Sequence, residues 1–75
     1  MRMIEFEFTL HLSADEYLQY YEGVAKAIQV RSHCGKIIQF SAEKMRKFVL
    51  QDGVHGEFII QLDEQNKFLS IRRLT

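Results

Sequence analysis

Cys34 beside His33 is the one place in these 75 residues where a thiol and an imidazole adjoin. A thiolate served by a neighbouring base attacks carbonyl carbon. Adjacent residues in a tight turn point apart, however, and no aspartate or asparagine stands near in sequence to orient the ring. A lone cysteine is commonly a small packing residue, and that reading is preferred. Zinc sites gather histidine and cysteine at short paired spacings. His11, His33 and His55 follow one another at intervals of 22 residues and Cys34 has no second cysteine, so no metal is expected. Glu5 and Glu7 share a strand face, and Asp15 and Glu16 open a helix where its dipole favours acids; neither pair announces a hydrolytic cleft. The glycines at 23, 35, 53 and 56 form no phosphate-cradling pattern. No enzyme and no cofactor are expected.

Binding surfaces are better represented. Residues 1–22 carry Glu5, Glu7, Asp15, Glu16 and Glu22 against Arg2, a net −4, whereas residues 23–50 carry six basic side chains against Glu43, a net +5. Lys44, Arg46 and Lys47, joined by Arg72 and Arg73 near the end, could follow a phosphate backbone and are the candidate nucleic-acid-binding residues. Zero formal charge overall weighs against that use, as does the shortage of aromatic rings left over for stacking on bases. Ile37, Ile59 and Phe68 fall on nominally polar strand faces. Clustered, they would form an exposed apolar patch of the kind that marks a partner. Covered by a helix or by a curled sheet, they are core. The leading expectation is a small non-enzymatic protein-interaction module, homodimeric or with an unidentified protein partner. Weak RNA or single-stranded DNA binding is the alternative, and no membrane partner is expected.

The elements that must position these residues follow from periodicity. Ile4, Phe6, Phe8, Leu10 and Leu12 alternate with Glu5, Glu7, Thr9 and His11, the two-residue period of a half-buried strand. Ser13 and Glu16 compose an S-x-x-E capping box, with Leu12 and Tyr17 as its hydrophobic staple. Ala14, Tyr17, Leu18 and Tyr21 then mark the buried stripe of a helix that Gly23 stops. Residues 25–31 and 36–40 predict a hairpin with Ile28, Val30, Ile38 and Phe40 inward and a Ser32–Gly35 turn. Ser41-Ala42 repeats the Ser13-Ala14 junction 28 positions on. It predicts a second helix with Met45, Phe48 and Val49 buried, though Lys44 replaces the box glutamate and weakens the cap. Residues 51–56 read as a break with two glycines. Phe58, Ile60 and Leu62 form a further strand, and residues 68–74 the closing one.

The expected architecture is a single α+β domain over residues 1–75, ordered β-α-β-β-α-β-β, with a mainly antiparallel five-stranded sheet. An SH3-like small barrel with a helical insertion is the alternative. One unpaired cysteine suits a reducing compartment. The opening residues alternate glutamate with aromatics, unlike a signal peptide, and no apolar run approaches the ~20 residues of a membrane span. A cytoplasmic protein is expected. At this size one core contributes only a few kcal/mol, so self-association is a natural expectation.

The stretch Lys36-Ile37-Ile38-Gln39-Phe40-Ser41-Ala42, followed by Lys47-Phe48-Val49 and by Asp52-Gly53-Val54-His55-Gly56-Glu57-Phe58, resembles a family of short bacterial proteins known as a domain of unknown function. Glu16-Tyr17-Leu18-Gln19-Tyr20-Tyr21-Glu22-Gly23 and Phe68-Leu69-Ser70-Ile71-Arg72-Arg73-Leu74 resemble it too. The family pattern often has proline where this chain has Ser41 and Lys47, a departure that softens the second helix. The resemblance implies a small stand-alone cytosolic protein. It carries over no catalytic or binding residues.

Overall fold

Alternation of apolar and polar residues over Met3–Ser13 produces an eleven-residue strand, β1. The computed structural model describes residues 3–21 and 27–74. After β1 come helix α1 (Ala14–Tyr21), strands β2 (Ala27–Arg31) and β3 (Ile37–Ser41), a 3₁₀ helix (Ala42–Phe48), and strands β4 (Gly53–Asp63) and β5 (Phe68–Arg73). The expected order of elements is present, and the fold is α+β. The strands pair antiparallel, but in two sheets rather than one: β1-β4-β5 and the β2-β3 hairpin. No barrel closes. The hairpin turn leans on the free edge of β1 through one backbone bond, His33 N–H to the Glu7 carbonyl at 2.8 Å.

Register decides what faces inward. Phe8 lies opposite Phe58 and Phe6 opposite Ile60, so the even positions of both strands form one apolar face. Phe8 is fully buried and holds the two sheets together. Its ring centroid is 5.7 Å from that of Phe58 in β4 and 5.7 Å from that of Phe40 in β3. Ile28, Val30, Ile38 and Phe40, the inward set of the hairpin, are all buried as expected.

The junction of β1 with α1 forms as its residues predict. The Ser13 N–H donates to the Glu16 carboxylate at 2.9 Å, and the Glu16 N–H donates to the Ser13 hydroxyl at 3.1 Å. The bond from the Ser13 backbone, and then that from its side chain, hold the Glu16 carboxyl below its ordinary value. A carboxyl lowered in the folded state stabilises fully above its unfolded value, and that contribution is lost as pH falls through the lowered one. Tyr17 is buried and its hydroxyl reaches the Ala42 carbonyl at 3.4 Å, tying α1 to the 3₁₀ helix. Leu18, expected in the buried stripe, is exposed. The Tyr21 side chain and the stop expected at Gly23 lie outside the described residues.

The second helical element is 3₁₀, not α. Ser41 makes no side-chain cap bond, in keeping with the lysine that stands where the box needs an acid. Ala42, Met45 and Phe48 recur at every third residue, and in a 3₁₀ helix such positions eclipse into one ridge. That ridge packs inward: Ala42 and Met45 are buried, and the Phe48 ring meets Phe58 edge-on at 5.1 Å. Val49 ends the element in an extended conformation and packs, partly buried, against the core.

Residues 53–56, read from sequence as part of a break, open β4 instead. Gly53 pairs with Ser13, His55 with His11, and Val54 is fully buried. Gly53 has φ +112°, and a Cβ there would fall 2.7 Å from the Ser13 carbonyl carbon, 2.8 Å from the Ala14 nitrogen, and onto the Leu12 oxygen. Gly35 in the hairpin turn has φ +93° but open space around it. Gly35→Ala is therefore expected to cost about 1–2 kcal/mol from backbone strain alone. Gly53→Ala adds a backbone collision and should cost about 3 kcal/mol or more. Urea melts of the two variants check this, and equal losses would contradict the close approach at Gly53.

Candidate functional site

The three residues expected to form an apolar patch are separated by the sheet. Ile37 is 46% exposed, at the start of β3. Ile59 is only 7% exposed, although it lies on the outer face of the three-stranded sheet. There it stands between Glu7 of β1 and Arg72 of β5. The hairpin turn at His33 and Cys34 approaches the same spot, and these residues line a cleft with Ile59. Phe68 is half-buried and packs against the core. A register irregularity between Gln61 and Leu62 sets Phe68 opposite Leu62, which turns its ring inward and leaves Leu69 as the exposed neighbour. The expected patch of Ile37, Ile59 and Phe68 is not assembled.

The basic residues divide as well. Arg72 is exposed on the outer face, opposite Ile59. Arg73 turns the other way: its guanidinium lies 5.3 Å from the centre of the Phe58 ring and donates to the His55 carbonyl. Neither arginine joins the three cations of the 3₁₀ helix. Those three do converge. Lys44, Arg46 and Lys47, with Glu43 as the one acid, face Phe68–Ile71 of β5 across a groove of about 460 Å³. The Lys44 ammonium sits 4.7 Å above the Phe68 ring, and Lys47 lies 5.1 Å from the Phe48 ring. Cations over aromatic faces are attracted by the ring quadrupole, so the apolar ring and the positive rim are held as one unit. β5 is an edge strand of its sheet. Among the described residues no backbone bond reaches its outer edge.

A second cleft, of about 280 Å³, brings Glu5 and Glu7 to His33 and Cys34. The thiol and imidazole do not serve each other. His33 Nε2 lies 3.1 Å from the Thr9 hydroxyl, and the Cys34 sulfur 3.2 Å from the Ser32 hydroxyl. The Ser32 hydroxyl, followed by the Lys36 backbone amide, holds the exposed Cys34 thiol below its usual range. The arrangement favours the thiolate over the thiol but aims no base at it. His11 and His55 form a different pair, across β1 and β4. Sequence reading separated them because residues 53–56 read as a break, although both positions have the outward phase of their strands. Among the described residues no group of three or more histidine, cysteine or acidic side chains is placed to hold a metal, and no helix is long and apolar enough to cross a membrane.

A family model matches residues 4–74. The chain belongs to that family, described as protein of unknown function (DUF2835). The match spans both sheets, the groove and the histidine pair, so the whole architecture described above is family territory. The description names no activity. No curated protein and no solved structure gave a significant match.

Cys34 offers a direct check on this geometry. Its alkylation by iodoacetamide should rise to a plateau with a midpoint below the ordinary thiol value of 9.0, because the thiolate forms at lower pH. Ser32→Ala should move that midpoint upward. An unchanged profile would mean that the hydroxyl does not support the thiolate.

Proposed function

We propose that this chain is a small non-enzymatic binding module that takes an extended acidic segment of a partner protein into the groove between the 3₁₀ helix and β5. The observation that carries this reading is the meeting of a positive rim, an aromatic floor and an unpaired strand edge in one place. A strand edge with open N–H and C=O groups accepts an added strand, main-chain bonds supplying affinity and alternate side chains specificity. Lys44 and Lys47 stand where the acidic side chains of such a segment would lie. Phe68 and the exposed Leu69 offer apolar contact to the residues between. Lysine beside an exposed edge also discourages indiscriminate pairing, so the groove would reject neutral strands as well as welcome acidic ones.

The same charge bears on the two other readings. Two copies of this chain pairing β5 to β5 would bring their lysines together, which disfavours a homodimer through this edge. A phosphate backbone would meet the lysines as readily as a peptide does. Base stacking is poorly served, because among the described side chains no phenylalanine or tyrosine ring is exposed and Phe68 is already covered by Lys44.

Titration of ¹⁵N-labelled protein with a short peptide alternating glutamate and valine should shift the amides of Phe68–Arg72 and of the 3₁₀ helix. Lys47→Glu should weaken binding about tenfold, roughly 1.4 kcal/mol, with the fold unchanged. Shifts confined to other surfaces, or none at low salt, would overturn the reading. So would a mixed-sequence single-stranded RNA that moves these amides, with affinity falling steeply in salt, when the peptide does not.

A further inference from the structure

His11 and His55 are directly opposed on the outer face of the β1-β4 pair. Their ring centroids are 5.5 Å apart and their Nδ1 atoms 3.3 Å apart. His55 Nε2 lies 3.1 Å from the Asp52 carbonyl oxygen. A carbonyl can only accept, so Nε2 carries the ring proton, and in the neutral imidazole Nδ1 keeps its lone pair. It follows that His11 is the donor of the contact, its Nδ1–H directed at that lone pair. One proton is what stands between two nitrogens 3.3 Å apart.

That separation has a second meaning. Nitrogen ligands sit about 2.0–2.1 Å from a zinc ion, and the edge of a tetrahedron is about 1.6 times its centre-to-vertex length, which puts two such nitrogens about 3.3 Å apart. We propose that His11 and His55 form a two-histidine site for a divalent first-row metal ion of the zinc, nickel and copper class, each ligating through Nδ1. Imidazole suits those ions. The exposed His11 ring exchanges its Nδ1 proton for one on Nε2 through solvent, which leaves a lone pair on each Nδ1 for the ion. His55 is already in the ligating tautomer. Its Nε2–H is held by a backbone carbonyl, the outer-shell arrangement that fixes metal-bound histidines.

The Glu16 carboxylate is close enough to His55 for the two to interact electrostatically. It accepts from the Ser13 N–H at 2.9 Å through Oε1 and contributes charge. With no third histidine, cysteine or acid gathered there among the described residues, water completes the coordination. The site is open and exchangeable, and its geometry is preset by a sheet instead of a loop, which keeps the ligand atoms in place. The sequence pattern conceals it, because the two ligands are 44 residues apart and meet through strand register.

The test uses the full chain carrying Cys34→Ser, which removes the competing thiol, and Zn²⁺ alone as the probe. Calorimetry should show one saturable equivalent, and the Nδ1 ¹⁵N resonances of His11 and His55 should move together while those of His33 stay fixed. His11→Gln and His55→Gln should each weaken binding by at least the roughly 10–100-fold that loss of an outer-shell partner costs, with the amide spectrum of the sheet retained. Absence of saturable binding would overturn the proposal. Movement of His33 in place of the pair, or affinity indifferent to either substitution, would do so equally.

Discussion

The ladder between β1 and β4 is the constraint from which the remaining structure follows. Eleven consecutive pairs run from Met3 opposite Asp63 to Ser13 opposite Gly53, and side chains on a strand alternate strictly between faces. A slip of one residue would exchange the faces entirely. Phe8 fixes the register, since it is the ring that touches both its own sheet and the hairpin. Once that ring is inward, Glu5, Glu7, Thr9 and His11 are outward, and so are His55, Glu57, Ile59 and Gln61. The outer face is then assembled row by row: the Gln61 amide donates to Glu5 at 2.6 Å, and Ser70 donates to Gln61 at 2.7 Å. Core and candidate chemistry are two sides of one pairing pattern.

Departures from regularity shape the other surface. The irregularity between Gln61 and Leu62 changes which residues of β5 face the core. Without it, Phe68 would keep the outward phase and the groove would lose its aromatic floor. The 3₁₀ helix acts in the same direction. Its three-residue repeat gathers Ala42, Met45 and Phe48 on the buried ridge and leaves Lys44 and Lys47 to the sides. An α-helix over the same residues would spread the apolar positions around more of its circumference, and the lysines would not flank β5 in the same way. A bulge on one side and a tight helix on the other together create the basic groove.

How much of this could be read from the residues depended on whether the deciding interaction is local. β1, the capping box at Ser13 and Glu16, and the inward set of the hairpin follow from neighbouring side chains, and each is present. The second helix was legible in existence and in the weakness of its cap; the period of three in Ala42, Met45 and Phe48 was the unread sign of its type. Gly53 and Gly56 misled, because glycine interrupts a strand as readily as it permits the close approach that Gly53 makes to Leu12 and Ser13. Reading them as a break hid the strand phase of His55. The bulge that turns Phe68 inward has no local signature at all. Nor does the cover over Ile59, which comes from a turn some two dozen residues away in sequence. Both depend on pairing between distant segments, which periodicity alone cannot supply.

The two proposed sites differ in what a ligand must do to the protein. At the β5 edge, a bound strand adds to a sheet whose inner pairs are already made, so little needs to move. At His11 and His55, an ion replaces a proton between rings held by paired strands. The sites are joined by β4, which carries His55 near its start and Leu62, the partner of Phe68, near its end. Seven residues of strand at about 3.3 Å each set them roughly 23 Å apart. Energetic coupling over such a distance requires an element with two discrete arrangements, and a strand paired with β1 throughout and with β5 from Phe58 to Leu62, with Phe58 and Ile60 fully buried beneath it, provides only one. The ladder that holds both proposed sites therefore also argues for their independence: occupation of the histidine pair should leave the affinity of the groove as it was.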